Sequence, residues 1–191
     1  MPIATKMKDK LEEIVEIPEG VTVTLDHGKI TVKGKAGESI RNMLDPKIKI
    51  SMEKGEAGSA VKFLADPCTK KEKTRIGSSV AHLKNMLKSV HDGVNYRLKI
   101  CSGHFPMNVS VSGSQFIVKN FLGEKIPRVL NIRKDVKIKV EGEFVNVDGA
   151  DKELVSQTAA SIETLTRRVG FDRRIFQDGI YIVEKNGEKV S

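Results

Sequence analysis

The sequence repeats itself at a period of about 86 residues. The aligned runs are Val23-Thr24-Leu25 with Val109-Ser110-Val111, Ile30-Thr31-Val32-Lys33 with Phe116-Ile117-Val118-Lys119, and Gly37-Glu38-Ser39-Ile40 with Gly123-Glu124-Lys125-Ile126. The match runs through a strand pattern, a turn and a loop without a gap. A fixed internal period indicates one structural unit that is built twice. We therefore expect two tandem domains, residues 1–93 and 94–191.

Each copy carries strand patterns followed by one helix pattern. In the first copy, Val21, Val23 and Leu25 alternate with polar residues, which is typical of a half-buried strand. A capping box, Thr69 with Glu72, predicts the start of a helix. Apolar residues at spacings of three and four give this helix one buried stripe: Ile76, Val80, Leu83, Leu87 and Val90. Gly93 is the expected C-cap.

The second copy follows the same plan. A helix is predicted from Asp151 as its N-cap, ending by Gly170, and a last strand from Gly179 to Val183. Strands followed by a helix, twice, predict an α+β fold in which each domain is a mostly antiparallel sheet with one packed helix. In the first copy, 34–37 is predicted to be a flexible basic loop whose two glycines serve backbone geometry.

Charge and residue usage point to a polyanionic partner. The 191 residues carry a net charge of +8, which both halves share equally. The first half nevertheless contains two arginines and one aromatic residue, whereas the second contains seven arginines and eight aromatics. Arginine binds phosphate through a planar fork and stacks on bases. Nucleic acid is therefore favoured over a membrane surface, with the second domain specialised for contact.

Patterns of catalysis, cofactor binding and membrane insertion are missing from the sequence. No apolar run approaches the ~18–20 residues of a membrane span, and the first ten residues lack the apolar stretch of a signal peptide. The four histidines and two cysteines have no metal-ligand spacing. A phosphate-binding loop and a nucleophile elbow are also absent. We expect a cytosolic, reduced protein that is not an enzyme and needs no cofactor or metal.

The loop 119–128 is the first candidate for RNA contact. Lys119, Lys125 and Arg128 could hold phosphates while Asn120 bonds sugar or backbone. The alternative is an ordinary connection between strands, with solvated lysines and Phe121 in the core. Both interpretations remain open at this point.

The second candidate is the stretch 167–181, and its residues 167–178 are called the arginine segment. Four arginines, Arg167, Arg168, Arg173 and Arg174, lie among the aromatic residues Phe171, Phe176 and, just beyond the segment, Tyr181. Such a mixture is typical of RNA-binding surfaces. Alternatively, the first two arginines finish a helix at its negative dipole end. We predict RNA contact for the last two arginines and a core position for the three rings.

Four runs carry a resemblance to a known family across the whole chain and in the right order: Pro18-Glu19-Gly20-Val21, His104-Phe105-Pro106-Met107-Asn108-Val109, Asn120-Phe121-Leu122-Gly123-Glu124-Lys125 and Asp178-Gly179-Ile180-Tyr181. The chain resembles the universal ribosomal large-subunit protein number six (number nine in older eukaryotic nomenclature), in its archaeal and eukaryotic form.

The resemblance implies two copies of one α+β domain that bind large-subunit ribosomal RNA. It places the protein near the sarcin–ricin loop and the stalk base, beside neighbouring ribosomal proteins and the docking site of translational GTPases. Arg173, Arg174, Gln177 and Asp178 match the family's C-terminal RNA-facing segment. Bacterial relatives have Lys-Gly-Lys where this chain has Phe176-Gln177-Asp178, so Asp178 could instead orient a neighbouring arginine.

Three hypotheses for function follow. The first is a structural constituent of the large ribosomal subunit that binds its RNA. The second is a free-standing RNA-binding regulator or ribosome assembly factor that uses the same duplicated module. The third, a small-molecule enzyme, has no residue in its favour.

Overall fold

The computed structural model describes residues 10–55, 58–172 and 174–190. The chain divides into two compact units, Met1–Asp92 and Gly93–Ser191. The described residues of the first unit form six strands and one helix in the order β1 Leu11–Glu16, β2 Thr22–Asp26, β3 Lys29–Gly34, β4 Gly37–Asn42, β5 Lys49–Gly55, β6 Gly58–Ala65 and α1 Lys70–Asp92.

Two three-stranded antiparallel sheets make up the first unit, with strand orders β1-β6-β5 and β2-β3-β4. Helix α1 packs against both through the predicted stripe, in which Ile76, Leu83 and Val90 are fully buried. Phe63 and Ile30 contribute the sheets' side of this core. The spacing of apolar residues in the sequence therefore correctly predicted which face of α1 is buried.

The capping box at the start of α1 is confirmed. The Glu72 carboxylate accepts hydrogen bonds from the backbone N–H of Thr69, at 3.1 Å, and from the Thr69 hydroxyl. The Thr69 hydroxyl, backbone hydrogen bonds and Lys47 together lower the pKa of Glu72 to about 2, against the opposing effect of burial. Glu72 is therefore a buried, ionised cap.

The turn at 34–37 differs from the flexible loop that we expected. Gly34 and Gly37 face each other in the β3–β4 hairpin, and the Ala36 N–H donates to the Val90 carbonyl at 3.0 Å. A Cβ on Gly34 would lie 2.7 Å from Val90 Cγ1. This turn is thus pinned to the end of α1, and Gly34 is needed for close approach.

In the part of the second unit that the structure describes, there are eight strands, one α-helix and one short 3₁₀ helix. Its elements are β7 Val94–Cys101, β8 Asn108–Ser112, β9 Gln115–Lys119, the 3₁₀ helix Phe121–Gly123, β10 Arg128–Asn131, β11 Val136–Glu141, β12 Phe144–Gly149, α2 Lys152–Leu165, β13 Gly179–Lys185 and β14 Glu188–Lys189.

Strand pairing in the second unit repeats that of the first. The sheet β10-β9-β8 corresponds to β4-β3-β2, and β11-β12-β7 corresponds to β5-β6-β1, all antiparallel. Val23 pairs with Val32, and Val109 pairs with Val118, so the two repeats share one register here. The predicted α+β fold of tandem repeats is confirmed. The second unit adds β13 and β14 at the β7 edge of its larger sheet.

The gap-free match between the copies fails after β9. Six residues separate Val32 from its partner Ser39, whereas nine separate Val118 from its partner Arg128. Ser39 therefore corresponds to Arg128 rather than to Lys125. The two Gly-Glu pairs have the same residues but occupy different structural positions, because Gly37 begins a strand and Gly123 ends the 3₁₀ helix. The second copy has an insertion of three residues at this point.

Helix α2 begins as predicted and ends earlier. The Asp151 side chain accepts hydrogen bonds from the N–H groups of Glu153 and Leu154. The buried face of α2 consists of Val155, Thr158, Ala159 and Ile162. Leu154 and Leu165 are only half-buried. The helix ends at Leu165, five residues before Gly170, so every described residue of the arginine segment lies outside it.

Candidate nucleic-acid interface

Three stretches of the second unit that are far apart in sequence meet at one place. They are the turn 102–107, the loop 119–128 and the arginine segment 167–178. Each carries one of the sequence runs that resemble the ribosomal family. The contacts between them are made by Asp178, Asn120 and Arg128.

Asp178 ties the end of the arginine segment to the turn 102–107. Its buried carboxylate accepts from the N–H groups of Gly103, at 2.7 Å, and His104, at 3.0 Å, and its second oxygen lies 2.5 Å from His104 Nδ1. Burial alone would raise the pKa of Asp178, but the His104 and Gly103 hydrogen bonds outweigh it and lower the pKa. Among the described residues, Asp178 therefore orients a histidine and a turn. That it also orients a neighbouring arginine stays a prediction.

Asn120 ties the loop 119–128 to the same turn. Its side-chain amide donates to the Pro106 carbonyl at 3.0 Å. The Phe105 ring lies over Gly123, 3.7 Å from where a Cβ would stand. Asn120, Leu122 and Gly123 all have positive φ, at 58°, 49° and 77°. A bulky residue such as Leu122 rarely adopts this conformation, and such strain concentrates at functional sites.

Arg128 ties the loop 119–128 to the end of α2. Its Nε and Nη2 donate to the Glu124 carboxylate at 2.8 and 2.7 Å, and Nη1 donates to the carbonyls of Leu165 and Arg167 at 2.6 and 3.3 Å. The guanidinium also lies 4.3 Å from the centre of the buried Phe121 ring. This pairing with Arg128 lowers the pKa of Glu124. The guanidinium of Arg128 is thus occupied within the protein.

The arginine segment is a loop, and a hydrogen bond joins the residues that flank its two ends. The buried hydroxyl of Thr166, just after α2, accepts from the Ile180 N–H in β13 at 2.9 Å. Arg167 and Arg168 follow immediately and are exposed. Arg168 lies 3.8 Å from a Glu124 oxygen and 4.3 Å from the centre of the Phe171 ring. Both ends of the segment are therefore fixed, while its described arginines, Arg167, Arg168 and Arg174, are exposed.

The tip of the segment carries the remaining predicted contact residues. Arg174 is 91% exposed and forms a fork with Asp172, with distances of 3.2 and 3.1 Å. This fork lowers the pKa of Asp172. Gln177 is exposed, and its amide lies 3.5 Å from the Arg174 carbonyl. Arg173 lies outside the described residues.

The core position predicted for the three rings is wrong. Phe171 and Tyr181 are both 38% exposed, whereas Phe121 is only 2% exposed. Phe176 stacks on the His104 ring at 4.8 Å, and Phe171 meets Phe176 edge-on at 4.9 Å. Phe171 and Phe176 lie in the segment that follows the end of α2 at Leu165, so no helical stripe turns them inward. Tyr181 lies in β13 and is exposed, whereas its neighbour Ile180 is buried. The three rings form an aromatic cluster beside the arginines.

Two depressions border the loop 119–128. One is an open groove, whose lining includes seven polar side chains, of which one is acidic: Lys99, Ser102, Asn108, Lys119, Asn120, Glu143 and Gln177. The other is a smaller cleft, which includes Leu122, Arg167 and Arg168 together with the aromatic cluster. Lys125 is exposed on the same loop. The predicted contact residues among those described therefore gather around one loop, with Arg128 beneath it.

Several residues of this site were not singled out from the sequence. Lys99 in the groove belongs to β7 and stands alone in the sequence, so no local signal marked it. For Glu124 the sequence did offer one signal: it lies four residues before Arg128, the residue with which it pairs. His104 lay in a run that carried the family resemblance, but nothing local linked it to Asp178.

Within residues 10–55, 58–172 and 174–190, no group of three or more His, Cys, Asp or Glu side chains could hold a metal ion. Neither helix of the described structure is long and apolar enough to cross a membrane.

Comparison with known proteins identifies the fold and its motifs. The family model for ribosomal protein L6 matches residues 17–93 and 105–179. The chain is 43% identical over 179 residues to the large ribosomal subunit protein uL6 of Methanosarcina mazei, which covers 94% of this chain and 99% of that protein. It is 42% identical over 170 residues to the protein of the same name from Natronomonas pharaonis, covering 89% of this chain and 94% of that protein.

A duplicated α+β module with these motifs defines a ribosomal type of protein rather than an enzyme. The chain belongs to the ribosomal protein L6 family, which is structural and non-enzymatic. The resemblance found in the sequence runs, including its archaeal character, is thereby confirmed.

Proposed function

We propose that this protein is a structural constituent of the large ribosomal subunit, in the cytoplasm, and that it binds large-subunit ribosomal RNA through its second unit. Two archaeal relatives at 42–43% identity carry the name of a large-subunit protein. One observation supports the second unit as the contact surface. It departs from the first unit by the insertion in the loop 119–128 and by the added arginine segment with β13 and β14. Those additions hold the predicted contact residues.

Within this proposal the residues divide into two roles. Lys119, Asn120 and Lys125 on the loop, and Arg167 and Arg168 on the arginine segment, are exposed and meet phosphate or sugar. Arg174 and Gln177 extend this surface at the tip, and Arg173, outside the described residues, stays a predicted contact residue. Arg128 remains a candidate contact residue, but its hydrogen bonds favour a positioning role. The family resemblance favours RNA near the sarcin–ricin loop and stalk base, where neighbouring ribosomal proteins and translational GTPases would lie.

Filter binding of the full-length chain to large-subunit ribosomal RNA of Methanosarcina mazei tests RNA binding, with the small-subunit RNA as competitor. The double variant Lys119→Ala/Arg167→Ala should lose two phosphate contacts and make the slope of log affinity against log salt shallower by ~1–2 units. The matched control is Lys84→Ala/Lys88→Ala, which removes two exposed charges from α1 in the first unit. If both double variants give the same slope of log affinity against log salt, the second unit is not the RNA-contact surface and that part of the proposal is wrong.

Two further measurements test the finer parts. Chemical footprinting of the bound RNA should show protection at the sarcin–ricin loop and stalk base. Protection confined to other regions would contradict the location while leaving RNA binding intact. Sedimentation separates the structural role from an assembly factor, because a structural constituent stays near-stoichiometric on large subunits after a high-salt wash.

A further inference from the structure

The cleft beside the arginine segment has an unusual lining for a surface that binds phosphates. It encloses about 280 Å³ and is bordered by Leu122, Arg167, Arg168, Phe171, Phe176 and Tyr181. This volume is just below the ~300–1,000 Å³ of pockets that hold drug-sized molecules. The cleft is therefore suited to one small ring system. The lining is mixed, because the carboxylates Glu163 and Asp178 also border the cleft. Charges alone would suffice to hold a duplex by its phosphates, so the aromatic rings in this lining require a separate explanation.

The rings in the cleft are held in place by a chain of contacts that begins at a buried carboxylate. Asp178 fixes the His104 ring, His104 stacks on Phe176 at 4.8 Å, and Phe176 supports Phe171 at 4.9 Å. Phe171 nevertheless keeps 38% of its surface exposed. An ordered ring that remains exposed offers a stacking surface at little entropic cost.

Tyr181 is placed at the other side of the cleft by a glycine. A Cβ on Gly179 would lie 3.1 Å from the Tyr181 ring and its hydroxyl, so the missing side chain lets this ring lie close to the backbone. Tyr181 is also 38% exposed. The cleft thus has a positioned, half-exposed ring on each of the two elements, the arginine segment and β13.

The arginines complete this surface. The Arg168 guanidinium carbon lies 4.3 Å from the centre of the Phe171 ring, and Arg167 lines the same cleft. A guanidinium plane stacks on bases as an aromatic ring does and also carries the charge that attracts phosphate. Rings and guanidiniums together match an extruded base and its flanking phosphates, which is the usual mode of sequence-specific RNA recognition.

We propose that this cleft takes a single unpaired nucleobase of large-subunit RNA, which stacks against Phe171 and Tyr181 while Arg167 and Arg168 hold the adjacent phosphates. The inference rests on the proposed RNA-binding function and adds a specific ligand to it. According to this inference, Phe171 contributes to the affinity for RNA through stacking rather than through charge.

The test is filter binding of full-length Phe171→Leu to the same Methanosarcina mazei large-subunit RNA. Leucine keeps an apolar side chain and removes the ring. Affinity should fall ~5- to ~150-fold, the range found for loss of one stacked base, with an unchanged salt slope because no charge is removed. Phe171→Tyr should restore most of the affinity. Val169→Ala is the matched control, since Val169 is 90% exposed and does not line the cleft.

Ultraviolet crosslinking of the wild-type complex gives a second measurement that does not depend on the variant folding. Peptides that contain Phe171 or Tyr181 should crosslink to one nucleotide in a loop or bulge. The inference is overturned if Phe171→Leu binds like Val169→Ala, or if crosslinks from these peptides reach only proteins in the assembled subunit. Failure of the wild-type chain to prefer large-subunit RNA would instead overturn the proposed function.

Discussion

The Arg128 guanidinium grips the Glu124 carboxylate through two parallel hydrogen bonds, Nε to Oε2 at 2.8 Å and Nη2 to Oε1 at 2.7 Å. Its third nitrogen holds carbonyls at the end of α2. One side chain therefore joins the loop 119–128 to the base of the arginine segment. This geometry separates an arginine that positions the surface from those that face solvent.

Replacement of Arg128 by lysine should destabilise the fold. Lysine keeps the charge but cannot form the planar fork, so we expect the free energy of unfolding to fall by ~1–3 kcal/mol, the range for hydrogen bonds to charged groups. Urea unfolding measures this difference. Arg133→Lys is the control, because Arg133 is exposed, and should change stability by less than ~0.5 kcal/mol.

The opposite result would reassign Arg128. If Arg128→Lys unfolds like the wild type but binds RNA more weakly, its guanidinium leaves Glu124 to contact RNA. The original expectation of direct contact would then hold.

The elements of this fold could be predicted because their signals are local. Alternation around Val23 and the capping box at Thr69 and Glu72 lie within a few residues of the structures that they specify. The register after β9 could not be predicted, because a Gly-Glu pair recurs by letter where the second copy has an insertion. Residue identity alone does not reveal three extra residues in a loop.

The site was predicted less completely because its contacts are distant in sequence. Asp178 and His104 are 74 residues apart, and no periodicity connects them. The sequence also could not predict which aromatic residues are exposed. Phe121 and Phe171 both neighbour apolar and basic residues, yet one is buried under Arg128 and the other faces the cleft. The path of the chain after Leu165 makes the difference.

Removal of the Asp178 charge should lower stability in a pH-dependent way. Since the pKa of Asp178 is lowered below its ordinary 3.8, its stabilising effect is complete above the unfolded pKa of ~4 and is lost as the pH falls through the folded value. Asp178→Asn should therefore cost ~1–3 kcal/mol at pH 7, and this cost should shrink between about pH 5 and pH 2.

Urea midpoints of both proteins across that pH range measure the effect. Asp135→Asn is a suitable control, because Asp135 is exposed and asparagine tolerates its positive φ. A stability difference for Asp178→Asn that stays constant from pH 7 to pH 3 would show that the carboxylate charge is not what holds the turn at His104.

Two glycine substitutions should act in opposite directions. Gly34→Ala places a Cβ 2.7 Å from Val90 Cγ1 and 2.9 Å from the Val90 carbonyl oxygen, so it should destabilise by ~1–3 kcal/mol. Gly77→Ala meets nothing within 4 Å on the exposed face of α1 and should stabilise by up to ~1 kcal/mol through helix propensity. Thermal unfolding distinguishes the two. A neutral Gly34→Ala would mean that the β3–β4 turn is not pinned to α1.

Loss of both tip arginines should weaken RNA binding without affecting the fold. Arg174 is 91% exposed and bonds only to groups of its own turn among the contacts described, and such residues contribute less than ~0.5 kcal/mol to stability. Arg173→Ala/Arg174→Ala should make the salt slope of binding to large-subunit RNA shallower by ~1–2 units. Arg133→Ala/Lys134→Ala removes the same charge from the exposed turn before β11 and should leave the slope nearly unchanged. If the two double variants behave alike, the RNA contact lies on the loop 119–128 and the cleft rather than at the tip.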